Sequence, residues 1–116
     1  MRILVIESDP VTAEVLENTF PKEHDVVVFG SARAALERIA VGRAFDVIFC
    51  EMDPPDMPAK ELYQHLADGS PRSAQRVVFI VGDAKPHRSF LDRPAKRYLT
   101  RPVSASALRD AIQAVG

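Results

Sequence analysis

The chain has a single cysteine, Cys50, among its 116 residues, which excludes an internal disulfide and any zinc site built on several thiolates. That thiol falls in an apolar run, where a small buried strand residue is the expected role rather than a reactive nucleophile. No apolar stretch approaches the roughly 20 residues that a membrane-spanning helix requires. The opening "MRILVIESDP" also turns acidic too early to be the apolar part of a secretory signal, so a cytoplasmic protein is expected. Phosphate-cradling glycine loops are missing as well: there is no GxGxxG after the first apolar run and no GxxxxGK[ST] anywhere. An acidic loop in that place repels a nucleotide or flavin phosphate. Without a helix-turn-helix pattern or stacking aromatics, nucleic acid is not an expected partner.

What is present is ordinary for a soluble globular chain: 47% hydrophobic and 27% charged residues. The length suffices for one core but not two, so residues 1–116 read as one domain. The net charge of −1 conceals an asymmetry. Residues 1–56 hold five Lys and Arg against eleven Asp and Glu, and residues 57–116 hold ten against five, giving −6 and +5. Five near-continuous apolar runs alternate with helical stretches: "RILVI" (2–6), "DVVVF" (25–29), "DVIFC" (46–50), "RVVFIV" (76–81) and "RYLT" (97–100). Strands covered on both faces read this way.

Asp9 is placed to cap a first helix with Pro10 in its first turn, with Val15, Leu16, Thr19 and Phe20 facing inward and Pro21 as its stop. Ser31 caps a second, whose stripe is Ala35, Leu36, Ile39 and Ala40 and which Gly42 closes. Leu62 and Leu66 mark a third that ends near Gly69. Ser104 caps the last, with Leu108, Ala111, Ile112 and Val115 at helical spacing. Between strands four and five, Pro86 and Pro94 leave only "HRSFLD", so the fourth helix is expected to be short or distorted. Right-handed crossovers give a parallel five-stranded sheet with its binding crevice at the carboxyl ends of the strands. Glu7-Ser8-Asp9, Glu51, Gly82-Asp83 and Arg101-Pro102 converge there.

In order and spacing these landmarks resemble receiver domains of two-component response regulators, the CheY-like family, over essentially the whole chain. "ILVIESDP" resembles the opening strand and acidic pair, and "FDVIFCEMDPPDMP" the phosphoacceptor strand with its D-x-x-x-P-x-M-D-G loop. "RYLTRP" resembles the switch aromatic and Lys-Pro segment, and "SASALRDAI" the closing helix. The resemblance implies an α/β, flavodoxin-like doubly wound sheet in the order 2-1-3-4-5. It also implies phosphoryl transfer from a partner histidine to an aspartate, assisted by magnesium, a lysine and a hydroxyl. Taken position by position, Glu51 stands at the phosphoacceptor, and Glu7, Asp9, Glu51 and Asp53 form the acidic pocket with Ser8 replacing one carboxylate. Gly82 stands at the switch hydroxyl, Tyr98 at the switch aromatic, Arg101 at the lysine before Pro102, and Pro58-Ala59 at the "DG". Only Pro55, Met57, Tyr98 and Pro102 match at their places.

A glutamate carries its carboxylate about 1.5 Å further out than aspartate, and a misplacement of ~1 Å can cost on the order of a hundredfold in rate. Magnesium demands near-octahedral oxygen ligands, and arginine does not replace a lysine conservatively. The expectation is therefore a degenerate, pseudo-receiver variant: no catalytic residues, no cofactor, doubtful Mg2+ binding with Glu7, Asp9 and Glu51 as the weak candidates, and an interaction module rather than an enzyme. The alternative is a working magnesium-dependent phosphoacceptor, as in the C-terminal receiver of a hybrid sensor kinase, which the stretch "SFLDRPAKRYLTRP" resembles. Asp53, two residues past Glu51, is expected to miss the pocket. The expected partner is a histidine kinase, an output domain or another signalling protein, docking on the face of the fourth helix (87–92), fifth strand (97–100) and last helix (104–115), and a homodimer is compatible with this. Lys85, Arg88, Arg93, Lys96, Arg97 and Arg101 read as a solvated basic face, and His24, His65 and His87 as scattered surface residues. Across the crevice, Glu51 and Arg101 are expected to pair, with a cis peptide before Pro102.

Overall fold

The structure, a computed structural model, describes residues 1–20, 24–42 and 44–115. Strands β1 (Arg2–Ile6), β2 (Asp25–Phe29), β3 (Val47–Glu51), β4 (Val77–Val81) and β5 (Arg97–Thr100) form one parallel sheet in the order β2-β1-β3-β4-β5. Between and after them run helices α1 (Pro10–Thr19), α2 (Ala32–Val41), α3 (Ala59–Gly69), α4 (Pro71–Ala74), α5 (Arg88–Asp92) and α6 (Ala105–Val115). Strands and order follow the sequence reading to within one residue. The four-residue α4 was not expected, being too short to show a helical period.

Alternation along the strands assigns the two faces of the sheet. Ile3, Val5, Phe49, Val78 and Ile80 pack with Leu16, Leu108 and Ile112 beneath α1 and α6. Leu4, Ile6, Ile48, Phe79 and Val81 pack with Ala35, Leu62, Leu66 and Leu91 beneath α2, α3 and α5. β3 and β4 are buried throughout, whereas β2 and β5, at the edges, are only half-buried.

The caps fall as the sequence places them: Asp9 accepts from Thr12 N at 3.2 Å, Ser31 from Ala34 N at 3.2 Å and Ser104 from Ala107 N at 3.1 Å. Two inward assignments are corrected. Val15 is exposed, because α1 turns Leu16 to the sheet and leaves Val11 and Val15 on its flank. Ala40 is exposed, because α2 packs through Ala32, Ala35, Leu36 and Ile39. The expected stop at Pro21 lies outside the described residues.

The crossover from β4 to β5 is the shortest, a 3-10 turn (Lys85–His87) followed by the five residues of α5. Lys96 closes it: its ammonium donates to Phe90 O at 2.6 Å and Pro94 O at 3.2 Å and lies 4.4 Å from the Phe90 ring centre. Burial lowers the pKa of Lys96. Both Arg93-Pro94 and Arg101-Pro102 are cis, the second as expected.

Candidate functional site

The register pairs Ile6 with Cys50, so the residues that follow, Glu7 and Glu51, stand side by side where β1 and β3 end. Both continue the α1/α6 face by alternation, as does Arg101 two residues past Leu99. Glu7 and Glu51 are buried, at 3% and 7% exposure. Two carboxyls this close in a dry crevice cannot both ionise cheaply without cations or donors.

Each finds a different partner. Arg101 Nη2 lies 2.6 Å from Glu7 Oε1, and Nη1 donates to Thr12 Oγ1 at 2.9 Å. Thr12 in turn donates its hydroxyl to Asp9 Oδ2 at 2.6 Å. Glu51 accepts from the Ser8 backbone N–H and from the Ser8 hydroxyl, the latter at 2.9 Å. The expected Glu51–Arg101 pair is therefore corrected. Among the described residues Arg101 makes its ion pair with Glu7, because Ser8 already supplies Glu51 with donors. Loss of water, and then a hydrogen bond to the Glu7 carboxyl, push the Glu51 pKa from 4.5 up to about 7, against the opposing pull of Ser8.

The other candidates are drawn elsewhere. Asp9 turns outward onto Thr12, whose hydroxyl and N–H hold its pKa below the ordinary value. Asp53 is exposed in the loop after β3. Among the described residues no three His, Cys, Asp or Glu side chains gather into a metal-holding group. Gly82 is exposed past β4, and a Cβ built on it meets nothing within 4 Å. Tyr98 is half-buried, its hydroxyl accepting from Arg88 at 3.1 Å. Cys50 is fully buried, and burial pushes its thiol up. The basic face is less uniform than expected: Arg101 is spent on Glu7, Lys96 is tucked over Phe90 and Tyr63, and Arg88 pairs with Asp92 at 3.7 Å. Of the histidines, His65 is exposed, while His24 and His87 are half-buried.

Two contributors have no role in the sequence reading. Thr12 joins Arg101 to the cap of α1, and its signal is a hydroxyl three residues after a capping aspartate. Asp56 accepts from Ser31 Oγ at 3.0 Å and from the N–H groups of Ala32 and Arg33 at 2.9 Å each, fastening the loop after Glu51 to the start of α2. Those N–H groups bring its pKa down to about 2. No local sequence signal announces a cap supplied from another loop.

No protein-family model matches the chain. In sequence it is similar to the two-component response regulator ORR26 of Oryza sativa subsp. japonica, 27% identical over 118 residues that take in 99% of this chain and 20% of that protein. The chain spans about a fifth of the length of the curated relatives it matches. Its fold is that of a response regulator receiver domain (CheY-like) from Methylobacillus flagellatus, with a TM-score of 0.85 at 18% identity, covering 100% of this chain and 98% of the other. A response regulator protein of Thermotoga maritima, TrrA, solved in complex with Mg2+ and BeF, gives a TM-score of 0.84 at 15% identity, covering 99% and 98%.

Proposed function

From the premise of a receiver domain of the response-regulator type, which whole-length sequence similarity and fold both support, we propose that this chain works as a protein-interaction module without accepting a phosphoryl group at Glu51. The observation that carries this reading is the Arg101–Glu7 ion pair at 2.6 Å. A guanidinium of the chain itself occupies the carboxylate that would otherwise face a metal ion. The residues present do not fit magnesium. Glu7 is committed to Arg101, Asp9 to Thr12 and Glu51 to Ser8, so a magnesium ion, which needs one or two free carboxylates in near-octahedral geometry at about 2.0–2.1 Å, would have to compete with these contacts. Glu51 itself, with its pKa near 7, is substantially protonated at neutral pH and a poor nucleophile in that form.

The partner is a signalling protein, a histidine kinase or an output domain among them, which docks on the face of α5, β5 and α6. The crevice serves that face by rigidity: Arg101 ties the end of β5 to β1 and α1. Incubation with a small-molecule phosphodonor and magnesium, followed by intact-mass measurement, is expected to leave the mass unchanged. A gain of one phosphoryl group that disappears in Glu51→Gln would overturn the proposal in favour of a working phosphoacceptor.

A further inference from the structure

The guanidinium of Arg101 reaches far for its carboxyl. In the order β2-β1-β3-β4-β5, the end of β5 is three strand spacings from the end of β1, about 14 Å, so Arg101 and Glu7 meet only by extending over the ends of β3 and β4. A closer acid is passed by: Asp83, just beyond the neighbouring β4, is exposed and accepts the Lys85 N–H at 3.0 Å. The preference has an electrostatic cause. The Glu7 side chain is 1% exposed, and a charge pair shielded from water attracts more strongly than one in it.

What Arg101 occupies is shaped for a planar fork. Nη2 lies 2.6 Å from Glu7 Oε1 and Nη1 donates to Thr12 Oγ1 at 2.9 Å, two acceptors met side by side by the two amino groups of one guanidinium. Thr12 is left as an acceptor because its own proton goes to Asp9 Oδ2 at 2.6 Å. A cleft of about 380 Å³ opens onto Thr12 and Arg101 and is walled by Val11, Val15, Leu16, Pro102 and Val103. Those five side chains offer no oxygen to a divalent ion, which keeps a shell of oxygen ligands. A weakly hydrated guanidinium, by contrast, lies readily against apolar groups.

We propose that the crevice holds a guanidinium-binding site, made by Glu7 and Thr12, of which Arg101 is the chain's own permanent occupant. Being covalently attached, this cation does not come and go with the ions in solution, so the end of β5 keeps one position and the docking face beside it one state. The inference rests on the reading of a receiver-type crevice that works without a phosphoryl group, and it names the ligand class of that same site. Once vacated, the site takes a free guanidinium ion in preference to a divalent metal ion.

Thermal melting of the wild type is expected to be unaffected by millimolar magnesium and by millimolar methylguanidinium. Arg101→Ala should melt lower, and methylguanidinium at that concentration, far below the denaturing range, should raise its melting temperature by roughly 2–5 °C. Magnesium chloride or sodium chloride at equal ionic strength should give no such rise, and adding Glu7→Gln to Arg101→Ala should abolish the response. If Arg101→Ala does not fold, Arg101→Lys takes its place: one ammonium cannot match both acceptors, so Thr12→Val should lower the melting temperature of the wild type more than that of Arg101→Lys. The proposal is overturned by a wild type that either ion stabilises, by an Arg101→Ala that methylguanidinium does not rescue or that magnesium rescues instead, by a response that survives Glu7→Gln, or by equal effects of Thr12→Val in both backgrounds. Phosphorylation of the wild type would overturn the function proposed above and leave a successful rescue standing; a failed rescue with no phosphorylation would do the reverse.

Discussion

The proton on Glu51 is contested by neighbours of opposite effect. Burial and the Glu7 carboxyl hold it on, while the Ser8 N–H and hydroxyl favour its release, and the former prevail. A carboxyl whose pKa is higher folded than unfolded keeps, between about 4.5 and about 7, a proton that the unfolded chain has already released. Stability therefore falls as pH rises through that window and stays at its lower level above it. Glu51→Gln removes the titration, so its urea midpoint should match the wild type near about pH 5 and exceed it near about pH 8. An equal difference at both values would mean that Glu51 does not share its proton with Glu7. Arg101→Ala should act in the opposite sense, leaving the buried Glu7 side chain without its guanidinium and lowering stability by about 3 kcal/mol, as chemical denaturation would show. That acidic residues end β1 and β3 was legible, since carboxylates interrupt otherwise apolar runs. Which of them Arg101 meets was not: Glu7 and Glu51 end adjacent strands on the same face, and the choice turns on Ser8, whose backbone N–H has no signature in sequence.

Strands and caps were the legible elements, because each has a local physical cause: continuous apolar runs for a sheet covered on both sides, and Asp9, Ser31 and Ser104 ahead of helical periods. Contacts between elements were not, and Asp56 is the clearest case. Its carboxylate, held near pKa 2 chiefly by the Arg33 and Ala32 N–H groups, stabilises the fold above the ordinary value of 3.8, and that contribution is lost as pH falls towards about 2. Asp56→Ala should lower the melting temperature at neutral pH, with a difference from wild type that narrows as the solution is acidified below about pH 4. The loop after β4 is the permissive one. Because Gly82 has open space for a Cβ and does not adopt a positive φ, Gly82→Ala should be tolerated and raise stability by about 0.4–1 kcal/mol through the unfolded chain. A loss in thermal melting would place something against that position.

Across the whole molecule, two apolar layers flank one sheet, and β4 supplies both. Phe79 faces α3 and α5, in ring contact with Phe90 at 5.1 Å and Tyr63 at 6.0 Å, so Phe79→Ala should cost about 3–5 kcal/mol and be visible as a lowered denaturation midpoint. All five strands run in one direction and the helices return in the other, which brings Met1 and Ala114 to the same rim: Met1 O accepts from Asp25 N at the start of β2, and Ala114 O from Arg97 at the start of β5. For anyone wishing to attach a fluorophore, an affinity handle or a surface anchor, that rim is a natural point of attachment. A cargo grafted beside Met1 or Ala114 stands a full strand length from Glu7, Glu51 and Arg101, but one beside Ala114 also stands next to Arg97 on β5. Immobilising the chain by its N-terminal side rather than its C-terminal side thus keeps the face of α5, β5 and α6 open to measurement.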